Sequence, residues 1–70
     1  MYTIGSVLTD LKLGYYDIYI NIIFFDRDGN KYCLNTEYDN NRCYKHILFK
    51  NDTVFLTGIN NIIEYLEEIK

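Results

Sequence analysis

Apolar and polar residues alternate most regularly between residues 15 and 25, and this alternation predicts a strand. Every even position from Tyr16 to Phe24 is apolar, while the odd positions begin polar. Alternation over this length, in a segment rich in β-branched and aromatic side chains, is typical of a half-buried strand. The even face is therefore predicted to lie in the core. The odd face carries Tyr15, Asp17, Tyr19 and Asn21.

The segment that follows, Asp-Arg-Asp-Gly-Asn, predicts a hairpin turn and its register. A two-residue loop would place polar residues of the next strand beside the apolar face. A three-residue loop that follows Asp26 and holds Gly29 in the left-handed bulge position pairs Phe24 with Tyr32. The second register keeps one face apolar, so we prefer it. It extends the odd face to Asn35 and Glu37.

The middle of the chain predicts three further strands, at about residues 30–37, 43–50 and 53–56. The last two are joined by a turn at Asn51-Asp52, which predicts that Phe49 pairs with Val54 and Ile47 with Leu56. Apolar residues then occupy both faces of this hairpin, which allows burial on both sides.

A helix is predicted at the C-terminal end of the chain. Apolar residues recur at helical spacing from Ile59 to Ile69, and Thr57 is the predicted N-cap. The opposite side of this helix is acidic and carries Glu64, Glu67 and Glu68. Such glutamates are ordinary on a solvated helix face, although they also allow mimicry of phosphate charge toward a nucleic-acid-binding protein.

The first fourteen residues are open to two interpretations. The apolar spacing, Ser6 as a cap and Gly14 as a C-terminal stop favour a short helix from about Val7 to Leu13. A strand from Tyr2 to Leu8 is the alternative. In either case residues 1–70 are expected to form one α+β domain of two layers. Its four-stranded, mostly antiparallel sheet consists of two hairpins, with the C-terminal helix on one face.

Charge and composition narrow the classes of function. Seven basic and ten acidic residues give a net charge of −3, which disfavours direct binding to nucleic acid or to a membrane surface. No segment has the roughly 18 consecutive apolar residues of a membrane span. Abundant residues with AT-rich codons suggest a low-GC bacterium or its phage, so the cytoplasm of a bacterial host is the expected compartment.

No arrangement of residues predicts a cofactor, a metal site or an enzyme. Asp26, Asp28, Asn30 and Glu37 match the spacing of a calcium-binding EF-hand loop, but Lys31 occupies the place of the required glycine. The predicted flanking strands also differ from the helices of EF-hands. Cys33, Cys43 and His46 match no zinc spacing, and we expect free thiols and an imidazole on the surface of a strand.

The odd face of the predicted sheet is the candidate functional surface, because tyrosine mixed with Asn and Asp is typical of protein-binding surfaces. Its predicted partner-binding residues are Tyr15, Asp17, Tyr19, Asn21, Asn35 and Glu37. We expect a non-enzymatic module that binds a protein of the host cell, in the manner of a phage or mobile-element inhibitor. The alternatives are a Ca²⁺ or small-ligand site at residues 26–37 and a homodimer formed through an edge strand, which the small core favours.

Overall fold

The structure, a computed structural model, describes residues 2–15, 21–38 and 44–70. In chain order the elements are helix α1 (Ile4–Lys12), strands β1 (Asn21–Phe25), β2 (Lys31–Tyr38), β3 (Tyr44–Lys50) and β4 (Thr53–Thr57), and helix α2 (Ile59–Ile69). The four strands form one antiparallel sheet in the order β1-β2-β3-β4. The predicted α+β fold of two hairpins with a C-terminal and a short N-terminal helix is therefore confirmed.

Helix α1 settles the choice between helix and strand at the start of the chain. Thr3 is its N-cap, and the Thr3 hydroxyl accepts a hydrogen bond from the Ser6 amide while the Ser6 hydroxyl accepts one from the Thr3 amide, each at 3.1 Å. This reciprocal capping box satisfies two backbone donors that a helix start leaves free. The helix therefore begins at Ile4, and the prediction that Ser6 caps a helix starting near Val7 was wrong.

The end of α1 shows why the first strand does not begin at Tyr15. The Gly14 amide donates to the Leu11 carbonyl at 3.1 Å, and the Tyr15 amide donates to the Asp10 carbonyl at 2.9 Å. This is the hydrogen-bond pattern of a Schellman motif, and Gly14 supplies the left-handed conformation it needs, with φ of 84°. Tyr15 thus belongs to the helix end. The rest of the predicted strand before Asn21, residues 16–20, lies outside the described residues.

The hairpin between β1 and β2 has the predicted register. Phe24 pairs with Tyr32 and Ile22 with Leu34. The Gly29 amide donates to the Asp26 carbonyl at 3.1 Å, and Gly29 has a φ of 84°. A type I turn followed by a left-handed glycine is the three-residue loop that the sequence predicts.

The hairpin between β3 and β4 follows the prediction only next to its turn. Asn51 and Asp52 have φ values of 50° and 69°, and two consecutive positive φ angles are the signature of a type I′ turn. Phe49 pairs with Val54, as predicted.

Beyond that pair, a β-bulge changes the register of the hairpin. Leu56 pairs with Leu48 rather than with Ile47, because Phe55 is an extra residue on β4. Leu56 packs against the core as a result, and the Phe55 ring lies 4.8 Å from the Tyr65 ring of α2. The predicted pairing of Ile47 with Leu56 was wrong.

Both helices contribute to one hydrophobic core that lies on a single face of the sheet. The core consists of Val7, Leu8, Leu11, Ile22, Phe24, Tyr32, Leu34, Leu48, Ile62 and Leu66. Helix α2 begins after Gly58, which has a φ of 88° and offers no side-chain cap, so the prediction of Thr57 as N-cap was wrong. Neither described helix has the length and apolar character needed to cross a membrane.

The other face of the sheet is uncovered by the described part of the chain, and we call it the open face. It consists of residues that alternate with the core positions along the strands, and eight of them form two rows across the middle of the sheet. The first row is Ile23, Cys33, Phe49 and Val54, and the second is Asn21, Asn35, Ile47 and Thr57. Burial of the last hairpin on both sides, which the sequence allows, is not observed, since Val54 is 58% exposed.

Candidate binding face

The first row of the open face presents apolar side chains to solvent on all the strands. Ile23 on β1 is 48% exposed and Val54 on β4 is 58% exposed. Cys33 and Phe49 between them are half-buried by their neighbours in the sheet. Contiguous apolar surface of this kind, bordered by polar residues, marks interaction sites in proteins.

The second row adds amides to this apolar surface. The Cys33 thiol donates a hydrogen bond to the Asn21 side-chain oxygen at 2.8 Å, which links the two rows. The side-chain oxygen of Asn35 is buried, and no donor of the described residues reaches it. A buried acceptor without a donor costs about 1 to 3 kcal/mol. Because this oxygen is itself buried, a group that binds the open face does not reach it in this conformation.

Charged side chains occur in opposite pairs beside these rows. Glu37 on β2 lies directly across from Lys45 on β3. At the other end of the sheet, the Lys31 ammonium lies 3.1 Å from the Asp52 carboxylate. The charges at the border of the open face are thus balanced.

The structure assigns different places to the residues predicted to bind a partner. Asn21 and Asn35 lie in the same row of the open face, and Glu37 lies exposed at its end. Tyr15 is 52% exposed at the end of α1, where it does not continue the strand. Asp17 and Tyr19 lie outside the described residues.

Sequence reasoning missed the apolar part of the open face, namely Ile23, Ile47, Phe49 and Val54. Their alternation with core residues is visible in the sequence, but apolar residues on both faces of a strand are equally typical of a strand buried on both sides. A strand exposed on one face and a strand buried on both faces differ in how many helices or other elements cover the sheet. Both described helices pack on the same face, and no other described element covers the opposite one.

The acidic residues of α2 lie on the outer side of the helix layer, away from the open face. Glu67 forms an ion pair with Lys12 of α1 and so joins the two helices. Glu64 is exposed, and Glu68 lines a shallow cavity of about 260 Å³ together with Asp26 and Asp28. Since Glu67 is paired within the chain, the three glutamates do not form one unpaired acidic surface.

The Asp26 carboxylate organises the turn between β1 and β2. It accepts hydrogen bonds at 2.9 Å from the backbone amides of Asp28 and Asn30 and from the Asn30 side chain, and at 3.0 Å from the Tyr32 hydroxyl. These bonds, with that from the Asn30 side chain the largest contributor, lower the pKa of Asp26 to about 2. Bonds to the ionised form favour it, so the charge of Asp26 stabilises the turn.

The same geometry separates the predicted calcium-binding residues. Asn30 precedes β2, and Glu37 lies near the end of that strand. Because a strand rises about 3.3 Å per residue, Glu37 lies about 20 Å from Asn30 and cannot bind the same ion. Among the described residues, no group of three or more His, Cys, Asp or Glu side chains has the geometry to hold a metal ion.

Two hydrogen-bonded polar groups lie on the core side of the sheet. The Tyr32 and Tyr65 hydroxyls are 2.7 Å apart, and burial together with the Tyr65 hydroxyl and the Asp26 carboxylate raises the pKa of Tyr32 well above its ordinary value. His46 is only 4% exposed, with its Nδ1 3.3 Å from the Thr36 hydroxyl. Burial lowers the pKa of His46, and the prediction of a surface imidazole was wrong.

Comparisons of the chain with known protein families, with characterised proteins and with solved structures find no match.

Proposed function

We propose that this protein is a non-enzymatic module that binds a protein partner through the open face of its sheet. The observation that carries the proposal is the row Ile23, Cys33, Phe49 and Val54, whose two outer members are about half exposed. Removing apolar surface from water stabilises a complex by about 25 cal/mol per Å². A protein that covers this row would be stabilised in the complex by that amount for each Å² it covers.

The polar groups around the row support a protein partner. Protein interfaces combine an apolar centre with a polar rim and about one hydrogen bond per 100 to 200 Å². Asn21 and Thr57 present exposed polar side chains beside the row, and the pair of Glu37 and Lys45 lies at the rim.

The titratable groups with displaced pKa values support a binding role over catalysis. The Asp26 carboxylate is engaged by the turn, and the Tyr32 hydroxyl by Asp26 and Tyr65. His46 lies on the core side of the sheet. Groups with shifted pKa values can mark catalytic sites. Here the pKa shifts come from hydrogen bonds and burial that stabilise the fold.

The test places a charge on the open face. Val54→Lys and Ile23→Lys put an ammonium group at exposed positions in the row, so the fold should tolerate them, whereas a buried unpaired charge in a complex costs several kcal/mol. Tagged protein is used to capture partners from a lysate of a bacterial host that also contains the untagged chain, with mass spectrometry of the bound proteins. We expect one protein to be captured by the parent chain and lost with both variants.

Leu13→Lys is the matched control, because Leu13 is an apolar residue that is 61% exposed at the end of α1. It adds the same charge away from the open face. Retention of the captured protein by Leu13→Lys and its loss with Val54→Lys would support the proposal. Retention by all the lysine variants, with unchanged circular dichroism, would refute it.

A further inference from the structure

We infer that the partner of the open face is a second copy of this chain, packed face to face so that two sheets form the centre of a helix-sheet-sheet-helix dimer. This inference rests on the proposed protein-binding function and specifies the partner. It differs from a homodimer joined at a sheet edge, because the contact uses side chains of the open face rather than backbone groups.

The size and flatness of the open face favour a sheet as its partner. Four strands of five to eight residues, spaced about 4.8 Å apart with about 3.3 Å per residue, span a face about 19 Å wide and about 21 Å long on average. Two such faces bury about 800 Å², which is below the roughly 1,200 Å² of stable complexes. An identical sheet matches the full width and length of the face and so reaches this area. The dimer is accordingly expected to be weak and dependent on concentration.

The positions along the rows are complementary when a twofold axis runs parallel to the strands between β2 and β3. This axis brings β1 of one copy over β4 of the other, so Ile23 meets Val54. It also brings β2 over β3, so Cys33 meets Phe49. Each pair combines residues of the same apolar row. Two stacked sheets of this kind pack about 10 Å apart, with strands aligned to within about 30°.

The charges follow the same symmetry. Glu37 and Lys45 lie opposite each other on β2 and β3, so the twofold axis places Glu37 of each copy over Lys45 of the other. The excess negative charge on α2, at Glu64 and Glu68, lies on the far side of each sheet. This separation reduces the self-repulsion expected of two chains that each carry a net charge of −3.

The second row supplies the polar part of the contact. The same axis places Asn21 of one copy over Thr57 of the other, and Asn35 over Ile47. Asn21 and Thr57 are exposed, and an amide and a hydroxyl can each donate and accept a hydrogen bond. A hydrogen bond between them is therefore expected in the dimer.

Sedimentation velocity at about 10 µM and about 1 mM, which bracket the affinities of weak interfaces, tests the inference. We expect the mass to rise from 8.4 kDa toward twice that value for the parent chain and for Leu13→Lys. Val54→Lys should weaken dimerisation at least about tenfold, because it places an ammonium against Ile23 of the other copy. Asn21→Ala, which removes the amide placed over Thr57 of the other copy, should weaken it by a smaller factor.

A cross-linking experiment distinguishes face packing from edge pairing. Across sheets about 10 Å apart, the two Cys33 residues are too distant for a disulfide, which needs Cα atoms within about 7 Å. In a Cys43→Ser background, a short bis-maleimide should join the two Cys33 thiols, while mild oxidation should not. Val54→Lys should abolish the cross-link.

A dimer that persists in Val54→Lys would overturn the inference, and so would a parent chain that is monomeric at both concentrations. If that monomer still captures a different protein, and the capture is lost with Val54→Lys but not with Leu13→Lys, the proposed binding function stands and only the identity of the partner changes. A monomer whose captured proteins are unaffected by Val54→Lys would refute both.

Discussion

Asp26 stabilises the fold through several hydrogen bonds at once. Its carboxylate holds the turn between β1 and β2 through two backbone amides and the Asn30 side chain, and it also binds the Tyr32 hydroxyl at the edge of the core. The sequence predicts Asp26 as the residue that opens the turn. Its bond to Tyr32, and through Tyr32 to Tyr65 of α2, depends on how the helix lies over the sheet, which local spacing does not specify.

The charge of Asp26 predicts a loss of stability in acid. Its pKa is about 2 in the folded chain against an ordinary value of 3.8, so the unfolded chain takes up the proton first as the pH falls. The stabilisation is complete above 3.8 and is lost as the pH falls from 3.8 toward 2. Urea unfolding between about pH 5 and pH 2 should show this loss of stability. Asp26→Asn should make the loss smaller and should lower the free energy of unfolding at neutral pH.

Asp52→Asn is the control for this measurement. Asp52 is also an acidic turn residue, but its described contact is the exposed pair with Lys31, and such pairs contribute little to stability. Its acid unfolding profile should match that of the parent chain. Equal slopes for Asp26→Asn and the parent chain below pH 3.8 would contradict the assigned role of Asp26.

At the scale of the elements, the sequence predicts best where a local rule determines the geometry. The three-residue turn and the alternation around it determine the pairing of Phe24 with Tyr32, and that register is correct. The bulge at Phe55 has no such local signal, because Val54, Phe55 and Leu56 fit either face of a strand. Contacts with α2, including that of Phe55 with Tyr65, accompany the observed register, and they are tertiary contacts.

Replacing glycine by alanine is expected to have opposite effects on stability at Gly29 and at Gly5. Gly29→Ala forces a side chain into a turn position with φ of 84° and should destabilise the protein by about 1 kcal/mol or more. Gly5 lies inside α1, and a Cβ there would meet only the Lys70 side chain at 3.9 Å. Gly5→Ala should therefore stabilise by up to about 1 kcal/mol. Thermal unfolding of the two variants measures both changes.

If Gly29→Ala proved as stable as the parent chain, the left-handed conformation would not determine the hairpin, and the register would have another cause. Destabilisation by Gly5→Ala would show that the first turn of α1 does not gain from helix propensity. The two substitutions are matched in side-chain size, so the difference between them reports the backbone conformation.

At the scale of the whole molecule, the two faces of the sheet have different roles. One face lies beneath both helices and holds the core, while the other is open among the described residues. The sequence predicts the sheet and its covering helix, since these follow from periodicity. It does not predict that α1 joins α2 on the same face, because that placement depends on tertiary contacts with the core.

One substitution on each face of the sheet tests this difference in role. Ile62 of α2 is fully buried in the core, and Ile62→Val should cost about 0.5 to 1.5 kcal/mol at any protein concentration. Ile23 is 48% exposed on the open face, so Ile23→Val should change the stability of the monomer by less than about 0.5 kcal/mol. Urea unfolding of the dilute protein measures both values.

The same pair of variants connects folding to the proposed dimer. Association stabilises the folded state by mass action, so concentrating the parent chain should raise its unfolding midpoint. Ile23→Val removes a methyl group from the contact with Val54 of the second copy. The rise of the unfolding midpoint with concentration, which we call the gain, should therefore be smaller in this variant. Ile62→Val leaves the open face intact and should keep the full gain. Equal gains for the two variants would indicate that Ile23 is outside the contact.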